Sequence, residues 1–170
     1  REFEAITGET QRRLGRVLSN EELKILLSIY RYLGLPGEVI SILKKKGDAG
    51  AQHLVSQLFF DNDDFFRFLD RCRLAGIEVP IEAGIMPVLN KASIERMVSM
   101  CGASMPSKLT RILARYGDHP EALREAGIAY AIDQISDLIA AGVDGIHLYT
   151  MNNPQVAKQI SDSVASIRRV

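Results

Sequence analysis

From residue 47 onward the chain alternates short apolar runs with amphipathic helical runs. That alternation restricts the fold more than any other feature. "QHLVSQLFF", residues 52–60, reads as a strand, and the acids Asp61 to Asp64 then cap the helix "DDFFRFLDRCRLAG", which ends at Gly76. "IEVPIEAGIMPVL", residues 77–89, is the next strand, with Pro80 and Pro87 near its ends, where a missing ladder donor matters least. Asn90 caps "NKASIERMVSMCG", and Pro106 opens "MPSKLTRILARYG" in its first turn. The longest helix follows, capped by Asp118 with Glu121 in capping-box position and closed by Gly142. "GIHLYT", residues 145–150, is a third strand, and Asn153 with Pro154 opens a last helix that runs to the end of the sequence. Strands separated by helices imply βαβ units and a parallel sheet. In such folds ligands bind at the carboxyl ends of the strands. The polar loops there carry Asp61, Asn62 and Asp63, then Asn90, then Thr150, Asn152 and Asn153.

Residues 1–46 have a different grammar and read as wholly helical. In "LSNEELKILLSIYRYLG" Ser19 and Glu22 form a capping box, Leu23, Leu26, Leu27, Tyr30 and Leu33 recur at helical spacing, and Gly34 ends the run. "LPGEVISILKKKG" is a second helix with Pro36 in its first turn, Val39, Ile40 and Leu43 on its apolar stripe, and Lys44 to Lys46 at its C-terminal end.

The totals exclude several function classes. With Lys+Arg and Asp+Glu both at 21, the surface lacks the positive excess that non-specific nucleic-acid binding needs. No apolar run reaches the roughly 20 residues of a membrane span. The opening "REFEAITGETQRR" has no apolar core, so no signal peptide is expected, and a start on Arg suggests a fragment. Cys72 and Cys101 stand far apart, no C-x-x-C is present and the three histidines are isolated. A reduced, cytoplasmic protein without a zinc site is expected. Asp61, Asp63 and Asp64 lack the glycine and distal Glu of a calcium loop, so capping explains them better. Phe59, Phe60, Phe65, Phe66 and Phe68 read as core, and Lys44 to Lys46 as a solvated helix end.

"DAGAQHLVSQLFFDNDDFFRFLDRCRLAGIEVPIEAGIMPV", followed by "GIHLYTMN", resembles the C-terminal part of bacterial methylenetetrahydrofolate reductase over about residues 47–170. The glutamine ahead of the double Phe and Asp, the "GIMPV" strand end and the "HLYTMN" strand end come in that family's order and spacing. The resemblance implies α/β architecture: the last three βα units of a TIM-type (β/α) barrel, preceded here by an all-helical segment. It further implies FAD, a nicotinamide cofactor and reduction of methylenetetrahydrofolate to methyltetrahydrofolate. "LGRVLSNEELKILLSIYRYLGLPGEVISIL" is similar instead to the helical domain of DnaD-like replication-initiation proteins, which makes the sequence look chimeric, with a seam near "KKKGDAG".

Carried over residue by residue, the resemblance makes Gln57 the glutamine that reads the folate pterin, a task suited to an amide that donates and accepts at once. An amide in an apolar run needs a partner, and Gln57 read alone is more simply a backbone-satisfying residue. Met97 stands where some members stack an aromatic on the ligand, Ser93 where some carry a second glutamine, and Asn153 where some carry a basic residue near the folate. Ser93 reads better as an ordinary helix residue, and helix capping suits Asn153 at least as well. The residues that hold FAD and the catalytic acid belong to earlier strands, so no catalytic residue is assigned. The expected activity is that of a methylenetetrahydrofolate reductase-like piece, incomplete alone. A DnaD-like interaction module, or a recombined chimera without catalysis, is the alternative. Three parallel strands cannot close, and their open edges offer a route to a homo-oligomer.

Overall fold

The computed structural model describes residues 2–19, 22 and 37–169. Its elements, in order, are α1 (Glu2–Leu14), α2 (Gly37–Asp48), β1 (Leu54–Leu58), α3 (Asn62–Leu74), β2 (Ile81–Ile85), α4 (Lys91–Cys101), α5 (Ser107–Tyr116), α6 (Pro120–Ala140), β3 (Gly145–Leu148) and α7 (Pro154–Ser163), then a 3-10 turn at Ile167–Arg169. The strands form one sheet in the order β1-β2-β3, with β2 and β3 parallel and Gly84 opposite His147. The chain divides into two compact units, Arg1–Leu54 with Asp64–Pro80, and Val55–Asp63 with Ile81–Val170.

In the first unit Ile40, Phe65, Cys72 and Ile77 are buried. The Ser19–Glu22 capping box is present: the Ser19 N–H donates to the Glu22 carboxylate at 2.8 Å, and the Glu22 N–H to Ser19 Oγ at 3.3 Å. Arg16 and then Ser19 hold the Glu22 carboxyl down at about 2. Residues 23–36 lie outside the described residues, so the stripe from Leu23 to Leu33, Gly34 and Pro36 do as well. Arg13 links α1 to the loop before β2 through Glu78 at 2.7 Å.

In the second unit the core gathers Leu58 and Phe60 from around β1, Met86 and Val88 from just beyond β2, and Ile94, Leu109, Leu113, Leu123 and Tyr130 from the helices. Leu109 and Leu113, four residues apart on α5, form its buried stripe. α6 buries residues on more than one face, from Leu123 to Leu138.

Several sequence expectations need correction at the edges of elements. β1 stops at Leu58 rather than reaching Phe60, because α6 side chains take the carbonyls that follow: Tyr130 Oη donates to Phe60 O at 2.6 Å and Gln134 Nε2 to Phe59 O at 3.5 Å. β2 begins at Ile81, not residue 77, because the Ile77 N–H still closes α3 onto Cys72 O at 2.9 Å. Pro80, next to the strand, has no donor to give. β3 ends at Leu148, although the Tyr149 N–H still bonds Ile85 O at 2.8 Å. Met151 and Asn152 then turn through left-handed conformations (φ 50° and 62°) and end any extension. The cap of α6 is His119 rather than Asp118, without a side-chain bond, because Pro120 takes the first helical position. Pro106 likewise stands at the cap of α5, one place before its first turn. The last helix stops at Ser163, where Val164 departs from helical geometry (φ −106°, ψ 8°).

Candidate functional site

The carboxyl ends of β2 and β3 open onto a cavity of about 450 Å³. Met86, Pro87, Val88 and Leu89 form one wall, the first half of α4 a second, and Tyr149, Thr150 and Met151 a third. Its place follows from local sequence. Pro87 prevents continuation of the ladder. Asn90 turns the chain into α4, its side chain accepting from the Ser93 N–H at 3.0 Å. The left-handed pair Met151–Asn152 folds the segment after β3 over the same end.

The lining is mostly apolar, with a few polar groups, as in a small-molecule pocket. Arg96 is the one cation among the described lining residues. Met97 is half-buried, packed against the core beneath and facing the cavity. Ser93 lines the same space. The structure thus brings together two of the positions singled out from sequence.

Gln57 and Asn153 are not among the lining residues. Gln57 is exposed, not buried as its apolar neighbours suggest, and its Oε1 accepts from the Leu58 N–H at 3.3 Å. Asn153 caps α7, accepting from the Val156 N–H at 3.2 Å. The loop between β1 and α3 is anchored from α6. Asn62 Nδ2 donates to Gln134 O at 3.0 Å and to Asp137 Oδ2 at 2.7 Å, and the Asp63 N–H is capped by Asp61 at 3.1 Å. Burial, helped by Asp61 and Asp133, pushes the Tyr130 hydroxyl up to about 12, which keeps it a donor to Phe60.

Sequence reasoning missed Tyr149 and Ser56. Tyr149 Oη donates to Ser56 O at 3.1 Å, reaching from β3 across β2 to β1, and its ring stands edge-on to His147 with centroids 4.6 Å apart. Gly84 makes the crossing possible: a Cβ there would stand 2.8 Å from the tyrosine ring and 2.6 Å from Ser56 O. The available signal was a glycine inside an otherwise apolar strand, which marks a close approach.

The family model for methylenetetrahydrofolate reductase matches residues 36–165. The chain is 42% identical over 113 residues to methylenetetrahydrofolate reductase (NADH) 1 of Arabidopsis thaliana, covering 66% of this chain and 19% of that protein. It is 37% identical over 123 residues to methylenetetrahydrofolate reductase 1 of Schizosaccharomyces pombe, covering 72% and 20%. It is 35% identical over 118 residues to the 5,10-methylenetetrahydrofolate reductase of Escherichia coli, covering 69% and 40%. The fold is α/β, with a small sheet whose β2 and β3 are parallel and a cavity at their carboxyl ends. With these matches, the chain belongs to the methylenetetrahydrofolate reductase family. It spans a fifth to two fifths of the length of these relatives. Among the described residues no helix is long and apolar enough to cross a membrane.

Proposed function

We propose that this chain supplies the folate-binding end of a methylenetetrahydrofolate reductase, a cytoplasmic oxidoreductase that reduces 5,10-methylenetetrahydrofolate to 5-methyltetrahydrofolate with NAD(P)H. In this reading residues 47–170 are the last three βα units of a barrel, residues 1–46 are a separate helical segment, and open sheet edges join copies or missing strands. The observation that carries the reading is the cavity at the ends of β2 and β3, with Met97 and Tyr149 facing it. Its apolar walls suit the flat rings of a folate. Gln57, exposed near the end of β1, reads the pterin edge, and Asn153 stays a cap at the margin of the folate tail.

The donor set does not fit a flavin dinucleotide. A diphosphate needs several converging cations or amide donors, whereas Arg96 is the one cation among the described lining residues and the Ser93 N–H is already taken by Asn90. FAD and NAD(P)H therefore belong to the reading only through family membership, and no step is drawn through them. The DnaD-like alternative is not favoured, since the reductase match starts at residue 36, inside the helical segment.

Titration with 5-methyltetrahydrofolate tests the reading. Gln57→Leu should weaken binding about tenfold, the loss of one or two hydrogen bonds, with little change in stability. An unchanged affinity, or collapse of the fold, would remove Gln57 from the site.

A further inference from the structure

Tyr149, Gly84 and Ser56 form a connected latch that ends at Gln57. Tyr149 Oη donates to Ser56 O at 3.1 Å. Ser56 Oγ accepts from the Gly84 N–H at 2.9 Å and donates to Gln57 O at 3.0 Å. Both groups of Ser56, main chain and hydroxyl, are thereby engaged from β2 and β3. The tyrosine ring is confined on one side by the bare Cα of Gly84 and on another by the edge of His147. The imidazole Nδ1 lies 3.8 Å from Glu82 on the neighbouring strand.

The Tyr149 ring packs against the buried core cluster, but Ser56 and Gly84 are not part of it, so the bond from the tyrosine hydroxyl serves something other than core packing. What it does fix is the peptide that presents Gln57. An exposed amide can sample several rotamers, and its own carbonyl is already turned back onto the Leu58 N–H. A ligand-reading glutamine works only if its backbone is held within about half an ångström. We infer that Tyr149 is a positioning residue: it clamps β1 through Ser56 so that Gln57 is presented at a fixed angle to the cavity that Tyr149 itself lines. This rests on the reading of the cavity as a folate site and assigns that site a device for aligning it.

A double-mutant cycle between Tyr149→Phe and Gln57→Ala, read by 5-methyltetrahydrofolate titration, tests the inference. It is paired with NMR of the Gln57 side-chain amide in the ligand-free protein. Tyr149→Phe keeps the ring and removes the donor. It should shift and broaden the Gln57 amide signals while leaving those of α5 in place, and weaken binding about three- to tenfold. In the Gln57→Ala background the same change should have almost no further effect, because the path to the ligand is gone. Ser56→Ala should reproduce the amide shift by an independent route. Gln57 signals unmoved by both variants, or fully additive losses, would overturn the inference and leave the folate reading standing. Wild-type protein that binds no folate would overturn the reading, and with it the role of the latch in binding, whatever the amide signals do.

Discussion

Gly127, in α6, lies directly against the main-chain carbonyl of Val88: a Cβ on residue 127 would overlap that oxygen and its carbon. Val88 is both core and cavity wall. The contact therefore sets how close the longest helix comes to the candidate site.

Gly127→Ala opposes two effects. The helix gains about 1 kcal/mol of propensity, and the overlap costs about 3 kcal/mol because backbone must move. Overlap wins, and urea denaturation should show a loss of about 2 kcal/mol. A variant as stable as wild type would mean that α6 can move away freely.

Tyr130→Phe leaves the buried carbonyl of Phe60 without its 2.6 Å donor. A cost of about 1–2 kcal/mol is expected at neutral pH. The pH dependence carries a sign. Tyr130 has a folded value raised from 10.0 to about 12, chiefly by burial. Its contribution is therefore complete below pH 10 and fades as the pH rises towards 12, because the unfolded state loses its proton first. Cys72, raised by burial from 9.0 to about 12, adds a loss of the same sign beginning near pH 9. Stability curves from pH 8 to 11.5 should slope downward, and less steeply in Tyr130→Phe. Parallel curves would contradict the assignment.

Met97→Phe tests whether the α4 wall touches ligand. The position borders open space, so a ring can enter without compressing the core. Stacking on a folate ring should tighten 5-methyltetrahydrofolate binding about three- to tenfold. Equal affinities for both proteins would place the ligand elsewhere.

Asn153 separates capping from recognition. Asn153→Ala should cost about 1 kcal/mol by freeing the Val156 N–H, and Asn153→Ser should restore most of it. If folate affinity follows the cap, falling with Ala and recovering with Ser, the residue acts through α7. If Ser stabilises but does not bind, Asn153 touches the ligand.

The order of elements from β1 to α7 was legible because each relies on local signals: helical spacing in α5, glycines at helix ends, asparagine caps at residues 90 and 153. The misread boundaries were those set by distant partners. Nothing local to Phe59 and Phe60 says that Gln134 and Tyr130 will take their carbonyls. The same limit explains the site. Met97, singled out by resemblance, lines the cavity, yet the exposure of Gln57 depends on which strands flank β1, which its own run of residues does not encode. The Tyr149–Ser56 bond joins residues 93 positions apart, beyond any periodicity.

The most direct test of the central claim is calorimetric titration of the purified chain with 5-methyltetrahydrofolate, repeated with Gln57→Leu. Saturable one-site binding that weakens about tenfold in the variant is the expected result. No saturable heat with the folded wild-type protein would contradict the assignment of the β2–β3 cavity as a folate site.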